Sequence, residues 1–170
     1  LINGAGGGVG TLGIQILKSY GVKVTGVDSD KKLGLMKSLG FDSVMDFKKT
    51  DFTATGDKYD LILDAKSNRS VFKYARSLKK NGTYVTVGGS MVRLIEIALM
   101  GSLISLFTSK KLSVLILEPN KGLDRISKLA EKGQMKPVID GPHPFDKIPE
   151  LIQYFGEGKH LGKIVVEMDE

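Results

Sequence analysis

A cluster of glycines near the start of the chain has the composition of a turn that binds phosphate. Five of the seven residues from Gly4 to Gly10 are glycines. Apolar residues then recur at spacings of three and four from Val9 to Tyr20, which predicts an amphipathic helix directly after the glycines. Glycine lets the backbone approach a diphosphate closely, and a helix start presents free N–H groups and the positive end of its dipole.

The glycines fit the dinucleotide-binding pattern G-x-G-x-x-G in two frames. The literal match uses Gly8, Gly10 and Gly13. A second frame places Ala5, Gly7 and Gly10 at the three positions. We adopt the second frame, because it puts the tight turn directly after the first strand and leaves Gly10 at the first helical turn. A Cβ at Gly7 or Gly10 is then expected to collide with a diphosphate or with the strand.

An acidic residue follows the glycines at the distance that a bound adenosine ribose requires. Asp28 ends a second strand-like run, Val22 to Val27, and lies eighteen residues after Gly10. In dinucleotide-binding domains an acid about 20 residues beyond the glycines hydrogen-bonds the ribose. A flexible glycine loop without any ligand is the alternative, and Asp28 at this spacing favours the dinucleotide site.

Several motifs in succession resemble one enzyme family. The turn Ala5–Gly10 is similar to that of the zinc-independent, quinone-oxidoreductase-like branch of the medium-chain dehydrogenases/reductases. Further matches follow in the same order at Lys31–Gly40, Tyr59–Asp64, Gly82–Val85, Lys136–Asp140 and Gly162–Val165. The resemblance covers essentially the whole chain. It corresponds to the C-terminal half of those enzymes, which carry a substrate domain before the glycine turn.

The alternation of strand-like and helix-like segments predicts an α/β fold. The resemblance implies a Rossmann domain, which is a doubly wound parallel sheet of about six strands with helices on both faces. We expect residues 1–135 to form this NAD(P)-binding domain and residues 136–170 to form a C-terminal tail. In the resembling proteins such a tail packs back on the substrate domain, which has a GroES-like fold.

Hydrophobic periodicity and turn residues predict the elements that follow Asp28. Helices are expected at Asp30–Leu39, at Asn68–Lys79, at Met91–Phe107 with an interruption at Gly101, at Gly122–Lys132 and at Glu150–Phe155. Strands are expected at Ser43–Met45, Tyr59–Ala65, Thr83–Val87, Leu112–Leu117 and Gly162–Met168. The prolines at positions 137, 142, 144 and 149 predict an extended connection without regular structure.

Ligands of open α/β sheets bind at the carboxyl ends of the strands. This rule places Asp64, Ala65, Gly88 and Gly89 beside the glycine turn, and the resemblance assigns Gly88 and Gly89 to the nicotinamide end of a cofactor. The predicted cofactor-binding residues are Ala5, Gly7, Gly8, Val9, Gly10, Asp28, Ser29, Lys32, Phe47, Asp64, Ala65, Gly88 and Gly89. Catalytic residues are not identified in this half, because no nucleophile motif is present.

Two features at the end of the second strand oppose each other in the choice between NAD and NADP. Asp28 suits the 2′-hydroxyl of NAD and repels a 2′-phosphate, although it can rotate toward Lys31 or solvent. Lys32 falls where the resembling NADP enzymes place a phosphate-binding lysine, and Ser29 adds a hydroxyl. Those enzymes also have a tyrosine that accompanies this lysine, and Phe47 stands in its place here. We expect the chain to bind NAD(P)(H), with NADPH favoured.

The composition argues against several other kinds of site. The chain has no cysteine and two histidines, so no ligand cluster for zinc or another metal is expected. His143 and His160 are predicted to lie in loops or at the surface, without a carboxylate to orient them. The net charge of +6 comes from scattered lysines, which argues against nucleic acid as a partner. Leu94–Phe107 contains Glu96 and is too short to span a membrane.

These observations predict an NAD(P)-dependent oxidoreductase that transfers hydride between the nicotinamide and a small carbonyl, enone or quinone. This half alone is expected to be inactive. The alternatives are a nucleotide-binding sensor or structural module without turnover, and an S-adenosylmethionine methyltransferase, whose glycine turn is similar. Without a signal peptide, a cytoplasmic location is expected. The apolar strand Leu112–Leu117 is expected to pair two chains in a homodimer.

Overall fold

The computed structural model describes residues 1–168 and contains one six-stranded parallel sheet. The strands are β1 (Ile2–Asn3), β2 (Thr25–Asp28), β3 (Ser43–Asp46), β4 (Tyr59–Asp64), β5 (Leu78–Thr86) and β6 (Lys111–Val114). Their order across the sheet is β3-β2-β1-β4-β5-β6, and every neighbouring pair is parallel. This is the order of a doubly wound α/β sheet, so the predicted Rossmann fold is confirmed.

Helices cover both faces of the sheet. The α-helices within residues 1–168 are α1 (Gly8–Lys18), α2 (Leu33–Ser38), α3 (Val71–Ser77), α4 (Met91–Phe107), α5 (Leu123–Glu131) and α6 (Ile148–Gly156). Helices α1 to α4 supply residues to the cores on the sheet, whereas α5 buries none of its residues. Consecutive residues of a strand point to opposite faces. In β4, Ile62 packs in a core cluster with residues of α3 and α4, whereas Leu63 packs on a cluster with residues of α1 and α2. The two faces of the sheet therefore carry separate apolar cores.

Two helix predictions are wrong in detail. The third helix ends at Ser77 rather than Lys79, and β5 begins at Leu78 rather than Thr83. Asn81 takes a left-handed backbone, φ 62°, inside that strand. Gly101 does not interrupt α4, which is continuous; a Cβ there would lie 2.9 Å from the carbonyl oxygen of Leu112. Glycine at this position instead allows the helix to pack closely on β6.

The proline-rich segment is not irregular, which corrects the prediction for it. Ile139–Pro144 forms β7, and it pairs in parallel with β8 (Lys163–Glu167) in a second, two-stranded sheet. Pro142 and Pro144 are tolerated because this strand has a partner on one side, so the backbone can lack donors on the other. The predicted closing strand Gly162–Met168 is found at nearly the expected bounds.

Residues 136–168 return to the glycine turn. The amide of Gly162 donates to the carbonyl oxygen of Gly6 at 3.0 Å, and Gly7 and Gly162 form an isolated parallel bridge. The side chain of Gln15 in α1 exchanges two hydrogen bonds of 2.8 Å with the backbone of Lys136. These contacts bring the residues around Gly162 to the first turn of α1.

The strand at the far edge of the six-stranded sheet is shorter than expected. β6 ends at Val114; the N–H of Leu115 still donates to the carbonyl oxygen of Thr86 at 2.8 Å, and Ile116 and Leu117 follow beyond it. The side chains of Leu115, Ile116 and Leu117 are 55%, 82% and 83% exposed. Among residues 1–168, no helix is both long enough and apolar enough to cross a membrane.

Candidate functional site

The glycine turn connects β1 to α1 with little room for side chains. Gly4 has φ +89°, a conformation that favours glycine, and it forms the tight turn after β1. A Cβ on Gly10 would overlap the backbone of Ala5, as expected of a glycine at the first helical turn. At Gly7 the expected collision with the strand is not found. A Cβ there would lie 3.5 Å from the carbonyl oxygen of Gly4, which is an ordinary van der Waals contact. Only a ligand would be blocked by a side chain at Gly7.

The N-terminus of α1 faces a cavity of about 380 Å³. Gly7 is the N-cap of the helix, and no side chain caps the helix start. The first N–H groups of α1, from Gly8 to Gly10, therefore have no partner within the helix. The cavity is lined by Gly4, Gly7, Gly8, Val9, Asp28, Lys32, Ala65, Lys66, Phe155, His160, Gly162, Lys163 and Ile164.

Positive charge dominates this cavity. Three lysines line it, Lys32, Lys66 and Lys163, and Asp28 is the single carboxylate among the described lining residues. Lys163 packs over Gly8, since a Cβ on that glycine would come within 3.1 Å of the lysine ammonium. A cation beside the positive end of a helix dipole is unfavourable unless an anion lies between them. The arrangement is that of an anion-binding site.

The carboxylate of Asp28 is fixed, which corrects the expectation that it can rotate toward Lys31 or solvent. Its two oxygens accept the backbone N–H groups of Gly6 and Ser29, each at 2.8 Å. The ammonium of Lys32 lies 3.8 Å from the same carboxylate, and both side chains are almost fully buried. Burial lowers the pKa of Lys32, and the charge of Asp28 partly offsets that effect.

Both histidines lie in more structured surroundings than the sequence predicts. His160 is 8% exposed, and its ring stacks on that of Phe155 with 4.7 Å between centroids. Its Nδ1 is buried without a hydrogen-bond partner, and burial followed by the charges of Lys32 and Lys66 lowers its pKa. His143 Nε2 lies 3.1 Å from the carboxylate of Asp140, so it does have an orienting acid.

A second cavity of about 260 Å³ adjoins the first along β2. Gly4, Asp28 and Lys66 line both cavities, which therefore form one cleft. Ser29 and Phe47 line the second cavity as well, and so does Lys48. The cleft thus extends from the first turn of α1 to the end of β2, as a dinucleotide would require.

The remaining predicted residues lie behind or beside the cleft. Ala5 and Asp64 are fully buried and line neither cavity, and Asp64 accepts the amide hydrogen of Asn3 Nδ2 at 2.8 Å. Gly88 and Gly89 follow the end of β5 and also line neither cavity. The structure therefore brings together Gly7, Gly8, Val9, Asp28, Ser29, Lys32, Phe47 and Ala65 on the cleft walls.

Among the charged and polar side chains that line the first cavity, sequence reasoning missed three: Lys66, His160 and Lys163. Lys66 could have been found, because it directly follows Asp64 and Ala65 at the carboxyl end of a strand. His160 and Lys163 lie about 150 residues from the glycine turn in the sequence, and no local pattern predicts that contact. Within residues 1–168 no group of three or more His, Asp or Glu side chains is arranged to hold a metal ion.

Comparisons with known proteins place the chain in a family. The sequence model of the zinc-binding dehydrogenase family matches residues 39–166. The chain is 31% identical over 170 residues to 2-methylene-furan-3-one reductase from Solanum lycopersicum, with 98% of this chain and 39% of that protein covered. It is also 31% identical over 170 residues to the chloroplastic NADPH-dependent alkenal/one oxidoreductase of Arabidopsis thaliana, with 98% of this chain and 39% of that protein covered.

Solved structures agree with the sequence relatives. The quinone oxidoreductase of Coxiella burnetii superimposes with a TM-score of 0.81 at 21% identity, covering 99% of this chain and 52% of that one. The chain spans about half or less of the length of the curated relatives it matches. The chain belongs to the zinc-binding dehydrogenase family, as the nucleotide-binding, C-terminal half of the zinc-independent, quinone-oxidoreductase-like branch of the medium-chain dehydrogenases/reductases.

Proposed function

We propose that the cleft binds NAD(P)H and that the whole protein is an oxidoreductase acting on a small carbonyl, enone or quinone. The observation that carries this proposal is that Lys66 and Lys163 line the cavity faced by the first turn of α1, with Lys163 packed over Gly8. Lys32 is already paired with Asp28, but two further ammonium groups at the positive end of a helix favour an anion, and a diphosphate is an anion of suitable charge. The first N–H groups of the helix supply the hydrogen bonds.

The residues of the cleft have separate roles in holding the cofactor. The backbone at Gly7 and Gly8 would receive the diphosphate, and Lys66 and Lys163 would neutralise it. Ser29 and Phe47 would contact the adenosine half in the second cavity. When bound, the nicotinamide supplies the hydride, so this half needs to bind and orient the cofactor rather than transfer protons.

We propose NADPH rather than NADH as the preferred cofactor. Both oxygens of Asp28 already accept backbone N–H groups, and Lys32 compensates its charge, so its repulsion of a 2′-phosphate is reduced. Lys48 adds a further cation to the second cavity. One relative, the Arabidopsis alkenal/one oxidoreductase, is named as NADPH-dependent. In the Lys32→Met variant we expect the ratio of NADPH to NADH affinity to fall.

The substrate and the location of the whole protein are further proposals. Relatives are named as reductases of a furanone, of alkenals or enones and of quinones, which supports an activated carbonyl compound as substrate. The segment 136–170 is proposed to pack on a substrate domain elsewhere in the protein. A cytoplasmic location stays a prediction, since some relatives are named as chloroplastic or mitochondrial.

Calorimetric titration of the chain tests the proposal. NADPH is expected to bind the wild type, and S-adenosylmethionine is not. Lys163→Met should weaken NADPH binding about five- to tenfold, because it removes one charge-assisted contact to the diphosphate. Lys79→Met is the matched control, since Lys79 is paired with Asp60 and neither residue lines the cleft, so NADPH affinity should not change. Binding of S-adenosylmethionine without NADPH would support the methyltransferase alternative.

A measurement of turnover separates the enzyme from a binding-only module. A protein that joins this chain to the proposed substrate domain should consume NADPH in the presence of an enone or quinone, while a sensor would bind NADPH with unchanged affinity and show no oxidation. The 170-residue chain alone is expected to bind NADPH without oxidising it.

A further inference from the structure

Ser67 combines an unusual backbone with a buried hydroxyl at the junction of two loops. Its φ of +46° lies in the left-handed region, which residues other than glycine adopt rarely and at a cost in free energy. Its side chain is 2% exposed. Such strain persists only where the surroundings hold it in place, and it is concentrated at functional sites.

The surroundings that hold Ser67 belong to both loops. On its own side, its N–H donates to the buried carboxylate of Asp64 at 2.9 Å. On the other side, its Oγ lies 2.6 Å from the carbonyl oxygen of Gly88 and next to the hydroxyl of Thr86. Ser67 therefore connects the loop after β4, which carries Ala65 and Lys66 of the cleft, to the loop after β5.

The carbonyl of Gly88 is held by two hydroxyl groups. The Oγ1 of Thr86 also lies 2.6 Å from this oxygen and 3.1 Å from the carbonyl oxygen of Asp64, and each hydroxyl has a single proton to donate. A carbonyl within hydrogen-bond distance of two hydroxyl groups has little freedom to reorient, whichever of them donates to it. The contact fixes the peptide plane between Gly88 and the next residue.

Packing restricts the same loop. A Cβ on Gly89 would lie 2.5 Å from the Cβ of Ser67, so these two residues fit together only because position 89 is glycine. Gly89 has φ +141°, which also favours glycine. Two consecutive glycines after a strand are otherwise free to adopt many conformations. The side chain of Ser67 reduces that freedom by hydrogen bonding and by contact.

We propose that Ser67 is a positioning residue that fixes the backbone of Gly88 and Gly89 for the nicotinamide half of the cofactor. This inference rests on the proposed function, because it assumes that a dinucleotide lies across the carboxyl ends of β1, β4 and β5. A loop ordered before binding loses less entropy when the ligand arrives, so the hydroxyl of Ser67 increases affinity without touching the ligand.

Two ligands separate this role from a general effect on folding. NADPH carries the nicotinamide, and 2′-phospho-ADP-ribose is the same molecule without it. Ser67→Ala should weaken NADPH binding about tenfold, the effect of one or two lost hydrogen bonds, while binding of 2′-phospho-ADP-ribose changes by less than about twofold. Both dissociation constants are measured by calorimetry on the 170-residue chain.

Further variants separate the effect on NADPH affinity from any effect on the stability of the fold. Ser67→Gly removes the hydroxyl but relieves the strained backbone, so it should show the same selective loss with a higher melting temperature than Ser67→Ala. Thr86→Val should also weaken the binding of NADPH more than that of 2′-phospho-ADP-ribose. Thr86→Ser keeps the hydroxyl and should bind NADPH as the wild type does. Ser77→Ala is the matched control, because Ser77 is a buried serine that bonds the carbonyl of Lys73 far from the cleft.

Equal weakening of both ligands by Ser67→Ala, or no weakening of either, would overturn the positioning role and leave the proposed function intact. If the wild type binds neither NADPH nor 2′-phospho-ADP-ribose, the proposed function fails and this inference fails with it.

Discussion

His160 is the residue whose environment differs most from its sequence context. Between Lys159 and Leu161 it reads as part of a polar loop, yet its ring is stacked on Phe155 beside the first turn of α1. Burial and the nearby charges of Lys32 and Lys66 favour its neutral form and lower its pKa. A bound diphosphate would act in the opposite direction, because an anion stabilises the protonated ring.

This environment predicts a dependence of stability on pH. The pKa of His160 in the folded chain lies below its ordinary value of 6.5, so the unfolded chain binds more protons in that range. The stabilising effect of the neutral ring is complete above about pH 6.5 and is lost as the pH falls from there through the lower folded pKa. Urea unfolding of wild type and His160→Asn between pH 5 and 8 measures the difference.

As the pH falls, the free energy of unfolding should decrease less in His160→Asn than in the wild type. His143→Asn is the control, since this residue lies outside the cavity, and it should retain the decline due to His160. Identical pH profiles for wild type and His160→Asn would contradict the assignment.

Residue types and the family resemblance identified eight residues of the cleft but not its charge. Glycine at positions 7, 8 and 10 and the acid at position 28 have local signatures, since a tight turn, a helix start and a strand end each leave a pattern in neighbouring residues. Lys163 has no such pattern, because its place over Gly8 depends on a contact between residues distant in the chain. The ion pair of Asp28 with Lys32 rather than Lys31 also depends on packing.

At the level of elements, the sequence predicted strands and helices well where apolar periodicity is clear. Strands β2, β3 and β4 lie within a few residues of the expected bounds. The errors arose where one residue type was given too much weight. Gly101 predicts a break in α4 and the prolines of β7 predict an irregular segment, yet the helix is continuous and the segment is a strand. In both places tertiary packing, and not local preference, decides the conformation.

Two of the glycines inside helices, Gly101 and Gly34, test whether packing or local preference decides the conformation. A Cβ at Gly101 would lie 2.9 Å from Leu112 O, so Gly101→Ala should lower the free energy of unfolding by about 1–3 kcal/mol. A Cβ at Gly34 in α2 would meet nothing within 4 Å, so Gly34→Ala should raise it by about 0.5–1 kcal/mol. Denaturant unfolding measures both. A Gly101→Ala protein as stable as Gly34→Ala would show that α4 does not pack closely on β6.

At the scale of the whole molecule, a large apolar surface remains open along β6 and α4. Ile116 and Leu117 are more than four-fifths exposed, and so is Phe107 at the end of α4. Strand β6 is the last in the sheet, so one side of its backbone has no neighbouring strand. Such an edge is suited to pairing with another chain.

We predict that the chain forms a homodimer through this edge, as the family resemblance implies. Ile116→Lys should shift the protein toward the monomer in sedimentation experiments at high concentration, because it buries a charge in the expected interface. Val114→Lys is a poorer probe, since Val114 packs against the core. Lys128→Glu in α5 is a control that alters charge elsewhere. A wild type that is monomeric at all concentrations would exclude the dimer.

Amide chemical shifts measured by NMR report whether the first turn of α1 binds the diphosphate of NAD(P)H. Titration of ¹⁵N-labelled chain with NADPH should shift the backbone amides of Gly7, Gly8, Val9 and Gly10 more than those of α5, which lies outside the cleft. Gly7→Ser should abolish these shifts while the fold is kept, because serine can cap the helix and occupy its free N–H groups. Saturable binding of NADPH that leaves the amides of this turn unshifted would contradict the account.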